Sequence, residues 1–282
     1  MKLSKEEIRK KVRETLIEDG ADMDITSSSL EIGDDRARAY ILAKESGVIC
    51  GLEIVKEVFY SLCSDADIKI LKKDGDKVFT GDKVMLIEAS QKALLSGERT
   101  ALNFLSHLSG IASKTRIFVD KIAQYPKSGI YDTRKTLPGL RAFEKYAVRC
   151  GGGKNHRFNL ADQVLIKENH LKAANLSVKE AVLKARKKNP ASIIEVETEN
   201  YSEFIEALEG GADIVMLDNF KEEDMVKACH FAHDNYPSVK VEISGGVSLD
   251  GLEKIAAAGA DRISVGRMTN SAPALDFTFL MK

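Results

Sequence analysis

The feature that most constrains this chain is a regular alternation of short apolar runs and helical stretches through its second half. Residues 130–133, 164–167, 193–197, 214–218, 239–244 and 262–265 read as strands. Between them, 140–148, 178–188, 201–208, 222–233 and 249–258 carry helical periodicity. Alternation at this spacing predicts parallel βαβ units. The strand ends then choose the architecture. They read Asp132-Thr133-Arg134-Lys135, Lys167, Glu197, Asp218-Asn219, Ser244-Gly245-Gly246 and Gly266-Arg267. A doubly wound sheet gathers its ligand groups at one switch point, whereas a barrel brings every C-terminal strand end to one mouth. Polar groups or glycines close every strand here, so the expectation is an α/β barrel.

The first half has a different texture. Ser4 and Glu7 have capping-box spacing, and Ile8, Val12, Leu16 and Ile17 share one helical face behind them. Residues 37–88 read as short strands with turns at Gly47, Gly75 and Gly81, and with a short helix in 51–61. Residues 94–124 form a long apolar-periodic helix in which Gly97 and Gly110 are candidate breaks or bends. With 42 Lys and Arg against 43 Asp and Glu, the balance argues against a dedicated nucleic-acid binder. No apolar run approaches the length of a membrane span. The four cysteines, Cys50, Cys63, Cys150 and Cys229, form no CxxC pair and no zinc spacing, and each reads as a buried structural thiol. The charged N-terminus and the free thiols fit a cytoplasmic protein.

The chemistry concentrates in residues 132–170. Eight basic residues (Arg134, Lys135, Arg141, Lys145, Arg149, Lys154, Arg157 and Lys167) face only Asp132, Glu144, Asp162 and Glu168, in a chain that is neutral as a whole. Such a local excess predicts a pocket for a compact polyanion, with Arg gripping carboxylates and Lys supplying point charge to phosphates. Lys145 and Arg149 read as a solvated helix face. Arg134, Lys135 and Lys167, at strand ends, do not. Gly151-Gly152-Gly153 allows an irregular loop that carries Asn155, His156 and Arg157 inward. His156 reads either as a general acid/base or as a hydrogen-bond donor to a carboxylate. Glu197 and Asp218, at neighbouring strand ends, either share a Mg²⁺ with substrate phosphates or pair with nearby bases. For Glu195 and Glu242, deeper in their strands, pairing with a base is favoured. The glycine turns after the last two strands stand where barrels bind phosphate.

The run YDTRKTLPGLRAFEKYAVRCGGGKNHRFNLADQVLIKENHL (131–171) resembles quinolinate phosphoribosyltransferases. So do GERTALNFLSHLSGIAS (97–113), IEVETEN (194–200), DIVMLDNF (213–220), VEISGGV (241–247) and DRISVGRMT (261–269). The resemblance implies an α/β fold, an open, incomplete α/β barrel with an N-terminal α/β sandwich domain. On that reading 1–108 is the sandwich, 109–272 the barrel, and the tail 273–282 returns to the sandwich. It implies the decarboxylating transfer of phosphoribose from phosphoribosyl pyrophosphate to quinolinate, in NAD biosynthesis, with Mg²⁺. It also implies a homodimer that binds neither nucleic acid nor membrane and lends Arg99 to the partner's site. By motif, Thr133, Arg134, His156, Arg157 and Lys167 belong to the quinolinate pocket. Lys135, Lys167, Glu197 and Asp218 surround the ribose, pyrophosphate and metal, with Lys135, Glu197 and Asp218 as the catalytic set. Ser244, Gly245 and Gly266 match the 5′-phosphate loops. Asp24-Ile25-Thr26 and Asn159 depart from the family pattern, which bears on local loop geometry only. A related molybdenum-transport family, ModD, shares the TRKT…PG stretch and makes a non-enzymatic anion binder the alternative, as does another phosphate-binding barrel. ModD lacks the Lys-Asn-His-Arg and Leu-Ile-Lys-x-Asn-His stretches present here.

Overall fold

The computed structural model describes residues 3–282. In chain order its elements are α1 (Lys5–Glu18), α2 (Ile25–Ser29), β1 (Arg36–Ala43), β2 (Gly47–Val48), α3 (Leu52–Leu62), β3 (Asp67–Ile70), β4 (Lys77–Val78), β5 (Lys83–Ser90) and α4 (Gln91–Lys121). There follow β6 (Gly129–Tyr131), α5 (Arg141–Cys150), β7 (Val164–Ile166), α6 (Glu168–Ala174), α7 (Val178–Lys188), β8 (Ile194–Thr198), α8 (Tyr201–Glu209) and β9 (Ile214–Asp218). The chain closes with α9 (Glu222–Asn235), β10 (Lys240–Ser244), α10 (Leu252–Ala257), β11 (Arg262–Ser264), α11 (Arg267–Asn270) and β12 (Phe277–Met281). Two compact units divide them. The first holds the chain up to Arg116, Leu137–Gly152 and Met268–Lys282; the second holds Ile117–Thr136 and Gly153–Arg267.

The first unit is built on an antiparallel sheet in the order β12-β1-β5-β3. Alternation sends Ala39, Ile41 and Ala43 of β1 and Ile87 and Ala89 of β5 into the core. Helix α3 covers that face with Leu52, Ile54, Val55, Val58 and Phe59, and Phe59 stacks on Phe279 of β12 at 5.7 Å. The start of α1 is the capping box expected of Ser4 and Glu7. Asp24 likewise caps α2, accepting the Thr26 and Ser27 N–H groups. One expectation fails in α5. Lys145 is fully buried, while Arg149 is exposed, so only the latter lies on a solvated face. Helix α5 buries Phe143, Glu144, Ala147 and Val148 around it, and the run of bases in the sequence hides that geometry.

Helix α4 is continuous over 31 residues, with no break at Gly97 or Gly110. Both glycines mark close packing instead. A Cβ on Gly97 would come within 3.0 Å of Leu62 and Phe59 of α3, and one on Gly110 would lie 2.0 Å from the Pro273 carbonyl oxygen. Each glycine costs the helix about 1 kcal/mol relative to alanine.

The second unit is a six-stranded parallel sheet in the order β6-β11-β10-β9-β8-β7. From β7 to β11 each strand pairs with the next in the chain, and β6, the first, pairs with β11, the last. That sequential order belongs to a barrel, since a doubly wound sheet reverses direction part-way. No ladder joins β6 to β7. A single parallel bridge between Tyr131 and Lys154 lies at that seam, so the barrel is open. Among the described residues no helix is long and apolar enough to cross a membrane.

Replacing Gly110 with alanine should destabilise the protein by about 1–3 kcal/mol in denaturant unfolding, because overpacking outweighs the gain in helix propensity. A stabilised variant would show that the Pro273 contact does not set the choice of glycine.

Candidate active site

The C-terminal ends of the parallel strands line one cavity of about 440 Å³. From β6 come Thr133, Arg134 and Lys135; from β7, Lys167; from β8, Glu197; from β9, Asp218 and Asn219; from β10, Ser244, Gly245 and Gly246. His156 and Arg157 enter from the segment between β6 and β7. Of the sequence-derived candidates, all but Arg99 and Gly266 meet here. Arg99 is exposed on α4 and Gly266 follows β11; neither is among the lining residues.

Local chemistry explains how the loop segment reaches the cavity. Asp132 is fully buried at the end of β6. Its carboxylate accepts the His156 N–H at 2.8 Å and the Asn155 side-chain amide at 2.6 Å. These bonds fasten the segment after the three glycines to β6. Beyond them, Asp162 caps the Phe158 N–H and Asn159 accepts from the Ala161 N–H, so the family departure at Asn159 sits in a small turn. At the other strand ends, ladder register places Ser244 beside Asp218. Gly245 has φ +87°, and a Cβ there would lie 2.3 Å from the Asn219 side-chain oxygen and 2.9 Å from that of Asp218. Only glycine fits that turn.

The electrostatics are asymmetric. Arg157 is 7% exposed, and its guanidinium pKa is lowered by burial and then by the like charge of Arg134. The Nε atoms of both arginines are buried with no hydrogen-bond partner among the described residues. Two neighbouring cations with unused donors form a site for an anion. The opposite wall is acidic. Lys167 pairs with Glu197, and the Asn219 amide donates to Asp218 at 2.8 Å. Glu197 and Asp218 present the oxygen donors that Mg²⁺ prefers, in the number it commonly takes from protein while sharing substrate phosphates.

The floor of the cavity includes a cluster that no sequence spacing announces, of which His156, Glu242 and Ser264 are lining residues. His156 Nε2 is 3.1 Å from Glu195 and 3.4 Å from Glu242, both fully buried. Glu242 also pairs with Arg262 at 2.6 Å and accepts from the Ser264 hydroxyl at 2.6 Å. Its carboxyl is held below the ordinary range: burial would raise it, but the bond from His156 and the charge of Arg262 prevail. Burial and then the charge of Glu242 raise Glu195. Of the two acids, Glu242 has the expected basic partner, while His156 bridges both. The one available signal was that Glu195 and Glu242 both alternate toward the side of the sheet that holds a strand-end ligand group, Glu197 or Ser244.

For His156 itself, burial opposes the charged form, but the two carboxylates overturn that and raise the pKa from 6.5 to about 9. One contact works against them. The Arg157 N–H points at Nδ1 from 2.7 Å, which favours a bare Nδ1. A neutral hydrogen bond is worth about 1 kcal/mol and those to charged groups about 1.5–3 each, so the carboxylates dominate. In either charge state Nε2 carries a proton.

Residues 24–109 match the N-terminal domain of quinolinate phosphoribosyl transferase, and residues 111–280 match its C-terminal domain. The chain belongs to the quinolinate phosphoribosyltransferase family. It is 41% identical over 273 residues to the probable nicotinate-nucleotide pyrophosphorylase (carboxylating) of Bacillus subtilis, covering 96% of this chain and 92% of that protein. Identity to the nicotinate-nucleotide pyrophosphorylase (carboxylating) of Rattus norvegicus is 40% over 253 residues, with 89% and 84% covered. The solved nicotinate-nucleotide pyrophosphorylase of Francisella tularensis superposes with a TM-score of 0.93 at 38% identity, covering 100% of this chain and 98% of that one. The open barrel with its sheet-bearing N-terminal portion is therefore this phosphoribosyltransferase fold.

Because the folded-state pKa of His156 is raised, its contribution to stability is complete below about 6.5 and is lost as pH rises through about 9. NMR titration of the ring should show an apparent pKa above 6.5 with Nε2 protonated throughout. A midpoint below the ordinary value would mean that burial and the Arg157 N–H outweigh the carboxylates.

Proposed function

We propose that the strand-end cavity is where this chain carries out the reaction of its family. Quinolinate and phosphoribosyl pyrophosphate give nicotinate mononucleotide, pyrophosphate and CO₂, a step in making NAD. The observation that carries the placement is the pair Arg134 and Arg157, two cations with unused donors in one cavity. Quinolinate is a pyridine with two adjacent carboxylates, and it supplies two charges to such a pair. Thr133, His156 and Lys167 complete that pocket.

Phosphoribosyl pyrophosphate takes the rest of the mouth. Lys135 and Lys167 supply charge to its phosphates, and the Ser244-Gly245 turn, with Gly266, receives the 5′-phosphate. Glu197 and Asp218 would hold Mg²⁺, which when bound neutralises charge on the pyrophosphate leaving group. As pyrophosphate departs, positive charge develops at C1 of the ribose, and carboxylates beside the ring stabilise it. The pyridine nitrogen attacks C1. The resulting pyridinium withdraws electrons, so the C2–carboxylate bond breaks toward the ring and CO₂ leaves. A proton taken up at C2 completes nicotinate mononucleotide. The protein forms no bond in this sequence; it positions two anions and stabilises a cation between them.

The working unit is a homodimer in which Arg99 of one protomer reaches the other's cavity. Exposure of Arg99 on α4 supports this. Four free thiols support a cytoplasmic site of action.

Arg157→Ala should weaken quinolinate binding by at least about 2 kcal/mol while moving phosphoribosyl pyrophosphate binding by far less, since it leaves one buried charge partner unmet. Calorimetry showing equal losses for both ligands would sink the assignment. Arg99→Ala and Lys135→Ala should each be inactive alone and regain turnover when mixed, because a hybrid dimer holds one intact site. Absence of recovery with proven subunit exchange would remove Arg99 from the shared site.

A further inference from the structure

One group of nucleophilic and titratable side chains in the first unit has no part in this chemistry: Cys50, Asp74, Tyr146 and Cys150. The two sulfurs and an Asp74 carboxylate oxygen lie within 4.8 Å of one another. Cys50 is fully buried, just before the left-handed Gly51 that begins α3. Cys150 ends α5 and is half-buried, which corrects the expectation that every cysteine is buried. Asp74 holds the arrangement together. It accepts the Gly51 and Leu52 N–H groups at 3.0 and 3.1 Å and the Tyr146 hydroxyl at 2.9 Å. Those bonds satisfy the carboxylate without a cation. The turn that carries it also touches the end of α5, where a Cβ on Gly75 would lie 3.3 Å from the Cys150 carbonyl oxygen. Both thiols are thus held on fixed backbone, side by side, although they are distant in sequence.

The two thiols are unequal. Burial pushes the Cys50 thiol well up and keeps it protonated. Cys150 is lowered by the hydrogen bond from Cys50, with help from Tyr146 and Arg149, against burial and the Asp74 charge. A more accessible, more acidic thiol next to a buried protonated one is the arrangement of an attacking and a resolving cysteine.

We propose that Cys150 and Cys50 form a redox pair in which Cys150 reacts with a small hydroperoxide and Cys50 resolves the product as an intramolecular disulfide. The Cys150 thiolate attacks a peroxide oxygen. The O–O bond breaks, sulfur is oxidised to the sulfenic acid, and the peroxide leaves as an alcohol or water after taking up a proton. Cys50 then attacks the Cys150 sulfur. The S–S bond forms, the S–O bond breaks, and the departing hydroxide takes the Cys50 proton to become water. In sum, two thiols and one hydroperoxide give a disulfide, an alcohol and water. With the backbone fixed, the Cys150 and Cys50 side chains rotate toward one another from within 4.8 Å to reach bonding distance.

The test is thiol titration and non-reducing peptide mapping of the full-length protein after a stoichiometric dose of hydrogen peroxide. Two of its four thiols should disappear, a peptide joining Cys50 to Cys150 should appear, and dithiothreitol should restore both. Cys50→Ser should stop at a sulfenic acid on Cys150, trapped by dimedone. Cys63, also half-buried and donating to Asp65, with no second cysteine beside it among the described residues, is the internal control and should react more slowly. Survival of all four thiols, faster oxidation of Cys63, or a disulfide from Cys150 to another chain would each overturn the proposal. None of these readouts depends on how quinolinate binds.

Discussion

The cavity depends on one buried carboxylate. Asp132 closes β6 with no exposure to solvent, and its two bonds to residues 155 and 156 draw the segment after the triple glycine against the strand end. His156 and Arg157 reach the cavity because of it. Backbone bonds between Lys154 and β6 and the contact of His156 with Glu195 hold the same segment from either side of that anchor. A buried carboxylate is costly unless hydrogen-bonded, and the docked loop supplies two of the bonds that satisfy this one.

The same economy governs charge. Arg134 and Arg157 repel one another in a half-enclosed space, which weakens the free protein there and prepares it for an anion. Beneath them, Glu195 and Glu242 are made tolerable by His156, Arg262 and Ser264. The cluster places negative charge behind positive charge, so the basic wall is supported from below. On the proposed function Glu197 and Asp218 meet a different demand: they would hold a cation that offsets the negative charge gathering on the departing pyrophosphate.

Much of this was legible in the sequence. Every strand of the barrel is announced by its C-terminal polar group, because strands buried on both faces leave only their ends for chemistry. The motif runs then name many of the groups that line the cavity, but give no site role to Asn219, Glu242, Gly246 or Ser264, which also line it. What failed is what periodicity does not encode. Helical spacing places Lys145 on a face of α5 but not what packs over that face, and the residue is buried. Gly97 and Gly110 look like helix breakers in one dimension and prove to be contact points for α3 and the 273–274 segment. His156 pairs with acids on β8 and β10, strands separated in the sheet by β9, a meeting that sequence spacing does not encode. Cys50 and Cys150 meet because Asp74 ties the start of α3 to Tyr146 of α5, and they carry no spacing signal at all.

On the proposed function, this cavity joins a pyridine dicarboxylate to phosphoribose and releases one carboxylate. The direct measurement is a turnover assay with quinolinate, phosphoribosyl pyrophosphate and Mg²⁺, following nicotinate mononucleotide and CO₂ together, with nicotinate as control substrate. The account predicts equal amounts of nucleotide and CO₂ from quinolinate and none from nicotinate. Turnover of nicotinate, or a well-folded protein that yields no product from quinolinate, would contradict it.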